Sequence, residues 1–444
     1  MGSAASERAT LCYDIRLVGE GALDVRAYVP KGARGTLRVD PNSVPYVTKM
    51  TIGAHAIGLG GSLDECEREG CELAYTFDLG RAARELDDVD TASQEGETLV
   101  APPSTWLVVP SGLSPETRVR FSVNVPPPNR FVSGASVPVG APPNTYEFAL
   151  ADLEMSPYSA FGRFERRTLS VGNASVEIAR APGTLGVTDD EITAWTRASF
   201  ESVVAYFGQP PVSHHALLIF PGKGPWVGAG KTLAGGGASI VMRVGDTATA
   251  NQLDDDWVLT HEQCHLAGPS FPRHLAWIEE GLATYVEPMA RVHTSRLSER
   301  DMWRGLFEGL PQGRPEAGDR GLDATPTWGR TYWGGAAFYF VADVEIRKAT
   351  GNQKGLIDAL RGVLSSGGNN LARWDVERWL TTADRASGTT VFHDLHRKMG
   401  EGTWYPDLPR LANELGVRVE KNTVTLNEHA PHATVRHAMT RPFR

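Results

Sequence analysis

The sequence predicts an α+β multidomain protein: an N-terminal β-sandwich-like domain over 11–155, a mixed-sheet part over 156–250, a helical part over 251–400, and a tail over 401–444. Three observations lead there. The chain has 444 residues, more than one hydrophobic core usually organises. Its first third alternates apolar and polar residues in short runs punctuated by Gly and Pro, the pattern of half-buried strands. From about residue 252 the apolar residues recur instead at helical spacing.

The elements follow in order. Tyr13–Val18, Leu23–Val29, Gly35–Val39, Glu72–Phe77, Thr105–Val109 and Arg118–Val123 read as strands, with Pro126–Pro128 and Pro142–Pro143 marking edges or a linker. Arg166–Val171 and Ala174–Ala179 form a hairpin over the Gly172-Asn173 turn. Asp189–Phe207 is an amphipathic helix capped by Thr188 or Asp189, with Ile192, Trp195, Phe200 and Val203 on one face. The strand His215–Phe220, a Gly-rich loop from Gly222 to Gly237 and the strand Ala238–Val244 come next. Leu253–Ala267 is a helix ended by Gly268-Pro269, and a second begins after Pro272. Tyr332–Thr350, closed by Gly351, and Leu356–Leu364 are helices; Val417–Val419 and Thr423–Leu426 give the tail weak strand character. Trp257 and Trp277 are expected in the core.

Composition excludes some functions. Apolar residues make up 41% and charged residues 22%, ordinary for a globular protein. The formal charge of −9, with no basic stripe, argues against a nucleic-acid partner and against electrostatic attachment to a membrane. No apolar run is long enough for a transmembrane segment. The opening residues Met1 to Ser6 lack the apolar core of a secretion signal. Of four cysteines, Cys66 and Cys71 are near enough to pair, two free thiols being the alternative; Cys12 and Cys264 have no evident partner.

The chemistry concentrates in HEQCH, residues 261–265. Residues four apart share a helical face, so His261 and His265 can bind one ion, while Glu262 is placed to reach a water on that ion as general base. A catalytic zinc site needs a third ligand and an open position. The segment WIEEGLATY, Trp277 to Tyr285, offers Glu279 and Glu280, with fourteen residues between His265 and Glu280. Neighbours on a helix point about 100° apart, so only one of them faces the metal. Apolar neighbours Trp257, Val258, Leu259 and Leu266 fit a buried metal helix rather than a solvated one. Cys264 is offset from the ligand face and reads as a core thiol.

HEQCH, then WIEEGLATY, then YWGGAAFYFVADVEIRKATGNQKGLIDALRGVL together resemble the M61 glycyl aminopeptidase family of gluzincin zinc metallopeptidases. The resemblance covers about 257–364 and, more thinly, 160–250. It implies a thermolysin-like catalytic domain behind the β domain, one Zn2+ per chain and a peptide or protein substrate. It makes Glu280, the glutamate before Gly281, the third ligand beside His261 and His265. It makes Glu262 the base that activates water and Tyr332 the oxyanion donor, with Tyr285 and Tyr339 as rivals. Asp343 and Arg347 match a pair the family carries on a later helix. Gly235, Gly236, Gly237 and Ala238 become candidates for binding an extended substrate by strand pairing. Thr284 becomes a candidate for orienting a ligand histidine.

Two departures stand out. Family members usually end in a PDZ domain, and the residues after about 400 are too few for one. Related aminopeptidases hold the substrate amine with an acidic strand motif, whereas Gly235–Arg243 has no acid. The expected activity is therefore zinc-dependent peptide hydrolysis of aminopeptidase type, with an endopeptidase or a silent peptide-binding protein of the same fold as alternatives. The family and the Cys66/Cys71 pair lead to an extracytoplasmic location, periplasmic or secreted, with the signal absent from this sequence.

Overall fold

The computed structural model describes residues 10–421 and 423–443, so the opening Met1 to Ser6 lie outside the described residues. The chain divides into two compact units. One comprises the chain up to Ser170 with Ala174–Thr188 and His214–Thr249; the other comprises Val171–Asn173, Asp189–Ser213 and the chain from Ala250. The expected mixed-sheet part thus falls largely with the N-terminal β domain, apart from the helix Asp189–Phe207, which belongs with the later helices.

The first unit is built from three larger sheets and the two-stranded pair Leu37–Arg38/Val109–Pro110. A seven-stranded sheet runs in the order Thr145–Ala149, Arg118–Asn124, Thr10–Val18, Ala22–Val29, Cys71–Asp78, Val47–Ile52, His55–Ala56. Thr10–Val18 pairs parallel to Arg118–Asn124, with Tyr13 opposite Phe121, and antiparallel to Ala22–Val29, with Ile15 opposite Val25. Its inward residues share a core with a four-stranded sheet of Arg130–Ser133, Ser159–Gly162, Thr98–Ala101 and Ser93–Glu95. Trp106 joins the two, edge-on to Phe121 at 5.5 Å and to Phe161 at 5.8 Å. The period-2 alternation read from the sequence is this two-layer packing. Thr105–Val109 is a correction: Pro103 starts a single helical turn to Trp106, and only Val109–Pro110 is strand.

The third sheet runs Glu165–Val171, Ala174–Arg180, His214–Gly222, Ala238–Gly245, Val227–Ala234. Its central strands pair parallel, Leu217 opposite Ile240, and are buried on both faces, which is why they read as continuous apolar runs. The segment expected as a loop over 222–237 contains the antiparallel strand Val227–Ala234, whose two glycines weaken its sequence signal. Cys66 and Cys71 are joined by a disulfide, and Cys12 and Cys264 are free thiols.

The second unit is helical. Ala276–His293 and Gly335–Thr350 form its centre, with Trp277 against Phe338 at 5.1 Å and Trp379 against Phe392 at 5.2 Å. Asp343 ties the helices together: it accepts from Arg347 Nε at 2.8 Å, from the Tyr285 hydroxyl at 3.1 Å and from the Leu356 amide at 2.9 Å. The expected tail is part of this core. Leu408–Leu415 and Ala433–Thr440 are helices around the hairpin Val417–Glu420/Thr423–Leu426, and Leu415, Val424 and Met439 are buried in the same cluster. Among the described residues no helix is long and apolar enough to cross a membrane.

Candidate metal centre

The helix expected over Leu253–Ala267 is interrupted. Ala250–Asp255 ends, Asp256 turns the chain, and Val258–Cys264 starts afresh, followed by a 3-10 turn, His265–Ala267. The Asp256 carboxylate accepts from the amides of Val258 and Leu259, both at 3.0 Å, and so supplies the cap that the new helix needs. Leaving the helix start to Asp256 puts Trp257 outside the core: it is 53% exposed, against expectation, while Trp277 is 1% exposed as expected.

From this short helix His261 and His265 face Glu280 on Ala276–His293. Nε2 of His261 and of His265 lie 3.4 and 3.5 Å from the same carboxylate oxygen, Glu280 Oε2. One ligand atom from each residue falls within 4.8 Å of the other two. Tetrahedral zinc with ligands at about 2.0–2.1 Å sets neighbouring ligand atoms about 3.3–3.5 Å apart. The donor set fits in chemistry as well. Glu280 Oε2 is buried and has no hydrogen-bond partner, an arrangement costly without a cation. Burial pulls the His265 pKa below its ordinary value, which favours the neutral imidazole with a free lone pair. Burial alone would raise the Glu280 carboxyl, but the imidazoles of His265 and His261, with Tyr332, outweigh it and hold its pKa below the usual carboxylate value.

Glu279 points elsewhere. Its Oε1 accepts from the Phe271 amide at 2.9 Å, and burial pushes its pKa up to about 7. The pair left open by helix geometry is thus divided between pinning the connecting turn and facing the histidines. Glu262 is buried, 8% exposed, on the same short helix.

Tyr332 reaches this cluster from Arg330–Gly334, a turn of π-helix that opens Gly335–Thr350. Such wide turns often mark functional positions. Buried Arg330 anchors it, donating to the Gly313 carbonyl at 2.8 Å and pairing with Asp319 at 2.8 Å. The approach depends on two glycines. A Cβ on Gly281 would meet Cα and C of Gly335 at 2.4 Å, so the two backbones touch directly. That contact lies next to Glu280 and three residues after Tyr332, whose hydroxyl hydrogen-bonds to the Glu280 carboxylate. Burial, then the charge of Glu280 and the hydrogen bond Tyr332 donates to its carboxylate, then the charge of Glu262, push the Tyr332 pKa up to about 12, so the hydroxyl keeps its proton. The rivals are committed elsewhere: Tyr285 donates to Asp343, and Tyr339 donates to the Ile278 carbonyl at 2.8 Å.

Two expectations need correcting. The Thr284 hydroxyl is buried and makes no hydrogen bond to either histidine. Gly235, Gly236, Gly237 and Ala238, in the other unit, are already paired within the chain. Gly236 O accepts from the Ser136 amide at 2.9 Å, and the Ala238 amide donates to Gly134 O at 2.8 Å. The strand Ala238–Gly245 has neighbours on both edges and has no open edge for a peptide; the edge of that sheet is Val227–Ala234. The feature missed altogether is Trp328, one turn before Tyr332, whose ring lies 5.7 Å from it.

No family model and no curated protein matches the chain. Solved structures do. The aminopeptidase N family protein from Idiomarina loihiensis is 13% identical with a TM-score of 0.69, over 93% of this chain and 79% of that one. The M1 zinc metallopeptidase from Deinococcus radiodurans is 15% identical with a TM-score of 0.53, over 91% and 96%. Aminopeptidase A of Legionella pneumophila, solved with aspartic acid, is 11% identical with a TM-score of 0.54, over 87% and 49%. At such identities the likeness is one of fold; the Deinococcus radiodurans structure carries the M1 designation, and none of the three is named M61. Two histidines and one glutamate converging on a zinc-sized gap therefore sit in a chain whose fold is that of the M1 aminopeptidase N-family zinc metallopeptidases.

Proposed function

We propose that this protein is a zinc-dependent peptidase of aminopeptidase type, with His261, His265 and Glu280 as metal ligands. The observation that carries the reading is the single buried, unpartnered carboxylate oxygen shared by two imidazoles at tetrahedral ligand spacing. Bound zinc supplies Lewis acidity and brings water to a pKa of about 7. Glu262 takes the proton from the attacking water and passes it to the leaving amine. The Tyr332 hydroxyl donates to the oxygen of the scissile carbonyl as negative charge builds there. The sequence resemblance supports an M61-like member; the fold likeness supports the broader gluzincin assignment.

Endopeptidase action is a second reading, favoured by one observation. Neither the edge strand Val227–Ala234 nor Gly235–Arg243 carries a carboxylate to hold a substrate amine. The Cys66–Cys71 bond favours work in an oxidising compartment, periplasmic or secreted.

The test compares wild type with Glu262→Gln for zinc content and for cleavage of an unbiased peptide mixture mapped by mass spectrometry. Equal zinc with cleavage lost in the variant is the expected result, and the cut positions separate removal of single N-terminal residues from internal cleavage. Equal cleavage by both proteins removes Glu262 from the mechanism.

A further inference from the structure

Four aromatic rings stand in a row at the candidate metal centre. Trp257 meets His261 edge-on, 5.6 Å between ring centres at 88°. His261 lies near-parallel to Tyr332 at 6.4 Å and 18°. Tyr332 lies near-parallel to Trp328 at 5.7 Å and 29°. The inner rings belong to a proposed ligand and to the proposed oxyanion donor. The outer rings are tryptophans, 53% and 61% exposed.

That exposure is unusual for this unit, where Trp277, Trp303 and Trp379 are each at most 1% exposed. An indole in water forgoes the stabilisation of one of the largest apolar surfaces a side chain has. Among the described residues neither indole has a cation over its face, whereas Trp404, also exposed, has Lys398 at 5.7 Å. One exposed indole thus stands beside His261, and the other beside Tyr332, the proposed oxyanion donor.

We propose that Trp328 walls a subsite for a bulky aromatic side chain on the substrate residue next to the scissile bond, on the Tyr332 side of the centre. The proposal rests on the peptidase reading above. Neighbouring Cα atoms of a peptide are about 3.8 Å apart, so a carbonyl held at the inner rings carries its flanking side chain to an outer one. Aromatic rings pair favourably at centre separations of about 4.5–7 Å, edge-on or offset. An indole face also attracts cations. The carboxylates of Glu280 and Glu262 would balance a divalent ion held there, so the Lys peptide tests whether the indole favours a cation over a ring. Trp328 selects substrate as well as packing on Tyr332.

The test uses zinc-loaded protein and peptides that differ only at one residue flanking the scissile bond: Phe, Ala, Gly or Lys. Wild type is expected to prefer Phe to Ala by about tenfold or more in kcat/KM, the range apolar pockets deliver. Trp328→Ala is expected to cut that ratio at least fivefold, chiefly through KM for the Phe peptide, Trp328→Phe to keep most of it, and Trp257→Ala, on the His261 side, to leave it unchanged. A readout without turnover accompanies it: Glu262→Gln protein titrated with the Phe peptide gives a saturable change in tryptophan fluorescence, lost when Trp328→Ala is added. An unchanged Phe/Ala ratio in Trp328→Ala, a Lys preference, or an equal loss of kcat on every peptide overturns the subsite. Cleavage of Ala and Gly peptides without Phe preference sinks the subsite and leaves the peptidase standing. Fluorescence binding of the Phe peptide without cleavage of any peptide does the reverse.

Discussion

Replacing Gly281 with alanine asks whether two touching backbones set the position of Tyr332. The new Cβ lands 2.4 Å from Cα and C of Gly335 and 2.9 Å from the Ala336 nitrogen. Ordinary contact begins near 3.4 Å, and all three obstacles are main-chain atoms that cannot rotate aside. The helices must part by about 1 Å, and overpacking of this kind costs about 1–3 kcal/mol. Alanine returns about 1 kcal/mol of helix propensity, so the net loss of stability is about 0–2 kcal/mol. The functional effect is larger. All three proposed ligands sit on Val258–Cys264, the turn after it, or Ala276–His293, whereas Tyr332 rides with Gly335. A misplacement of about 1 Å in a reacting group costs about 100-fold in rate. Gly281→Ala is thus expected to keep zinc stoichiometry, shift the urea midpoint slightly and drop kcat about 100-fold. Gly305→Ala is the control, since a Cβ there meets nothing within 4 Å. Full turnover in Gly281→Ala refutes the idea that this contact places Tyr332; loss of zinc shows that the contact holds the ligands instead.

Three further expectations follow from the same geometry. Glu280→Ala should lower zinc affinity at least 10-fold in a competitive chelator titration. Glu279→Ala should keep zinc but cost about 1–3 kcal/mol in urea unfolding by orphaning the Phe271 amide; equal zinc loss in both reverses the ligand assignment. Tyr332→Phe should lower kcat about 100- to 1,000-fold with zinc content unchanged, and unaltered kcat rejects its oxyanion role. His215 is fully buried and burial holds its pKa down at about 3, below the unfolded value near 6.5. The unfolded chain takes up a proton that the folded chain refuses, so this contribution is whole above about pH 6.5 and erodes as pH falls towards 3, by about 1.4 kcal/mol per unit. Urea unfolding at pH 5 and pH 7 should show that slope in wild type and a shallower one in His215→Gln; equal slopes remove His215 as its source.

The sequence revealed what periodicity and side-chain chemistry encode. The alternation of Tyr13, Ile15 and Leu17 exposes a one-sided sheet, and the four-residue spacing of His261 and His265 exposes a shared helical face. What stayed hidden depends on contacts between distant segments. Asp256 falls inside the helix expected over Leu253–Ala267, yet it caps a new one and so leaves Trp257 in solvent. Glu279 and Glu280 were inseparable by helix geometry until the Phe271 amide claimed the first. Trp328 gave no signal, because a lone tryptophan in a Gly- and Pro-containing loop has no period to read. Gly235–Ala238 misled because a run of glycines looks open, while here it lets main chain approach main chain, as at Gly237 against Gly134 and Ala135.

The way the polypeptide alternates between its two units bears on how the protein can be dissected. Asp189–Ser213 belongs with the helices although sheet segments precede and follow it. No single cut yields two autonomous fragments: expression from Ala250 onward omits the Asp189–Phe207 helix, and with it Val203, Tyr206 and Phe207 from the helical interior. During synthesis the helical unit cannot complete itself until the β segments between Asp189–Ser213 and Ala250 have left the ribosome, so its early helix must wait for its later partners.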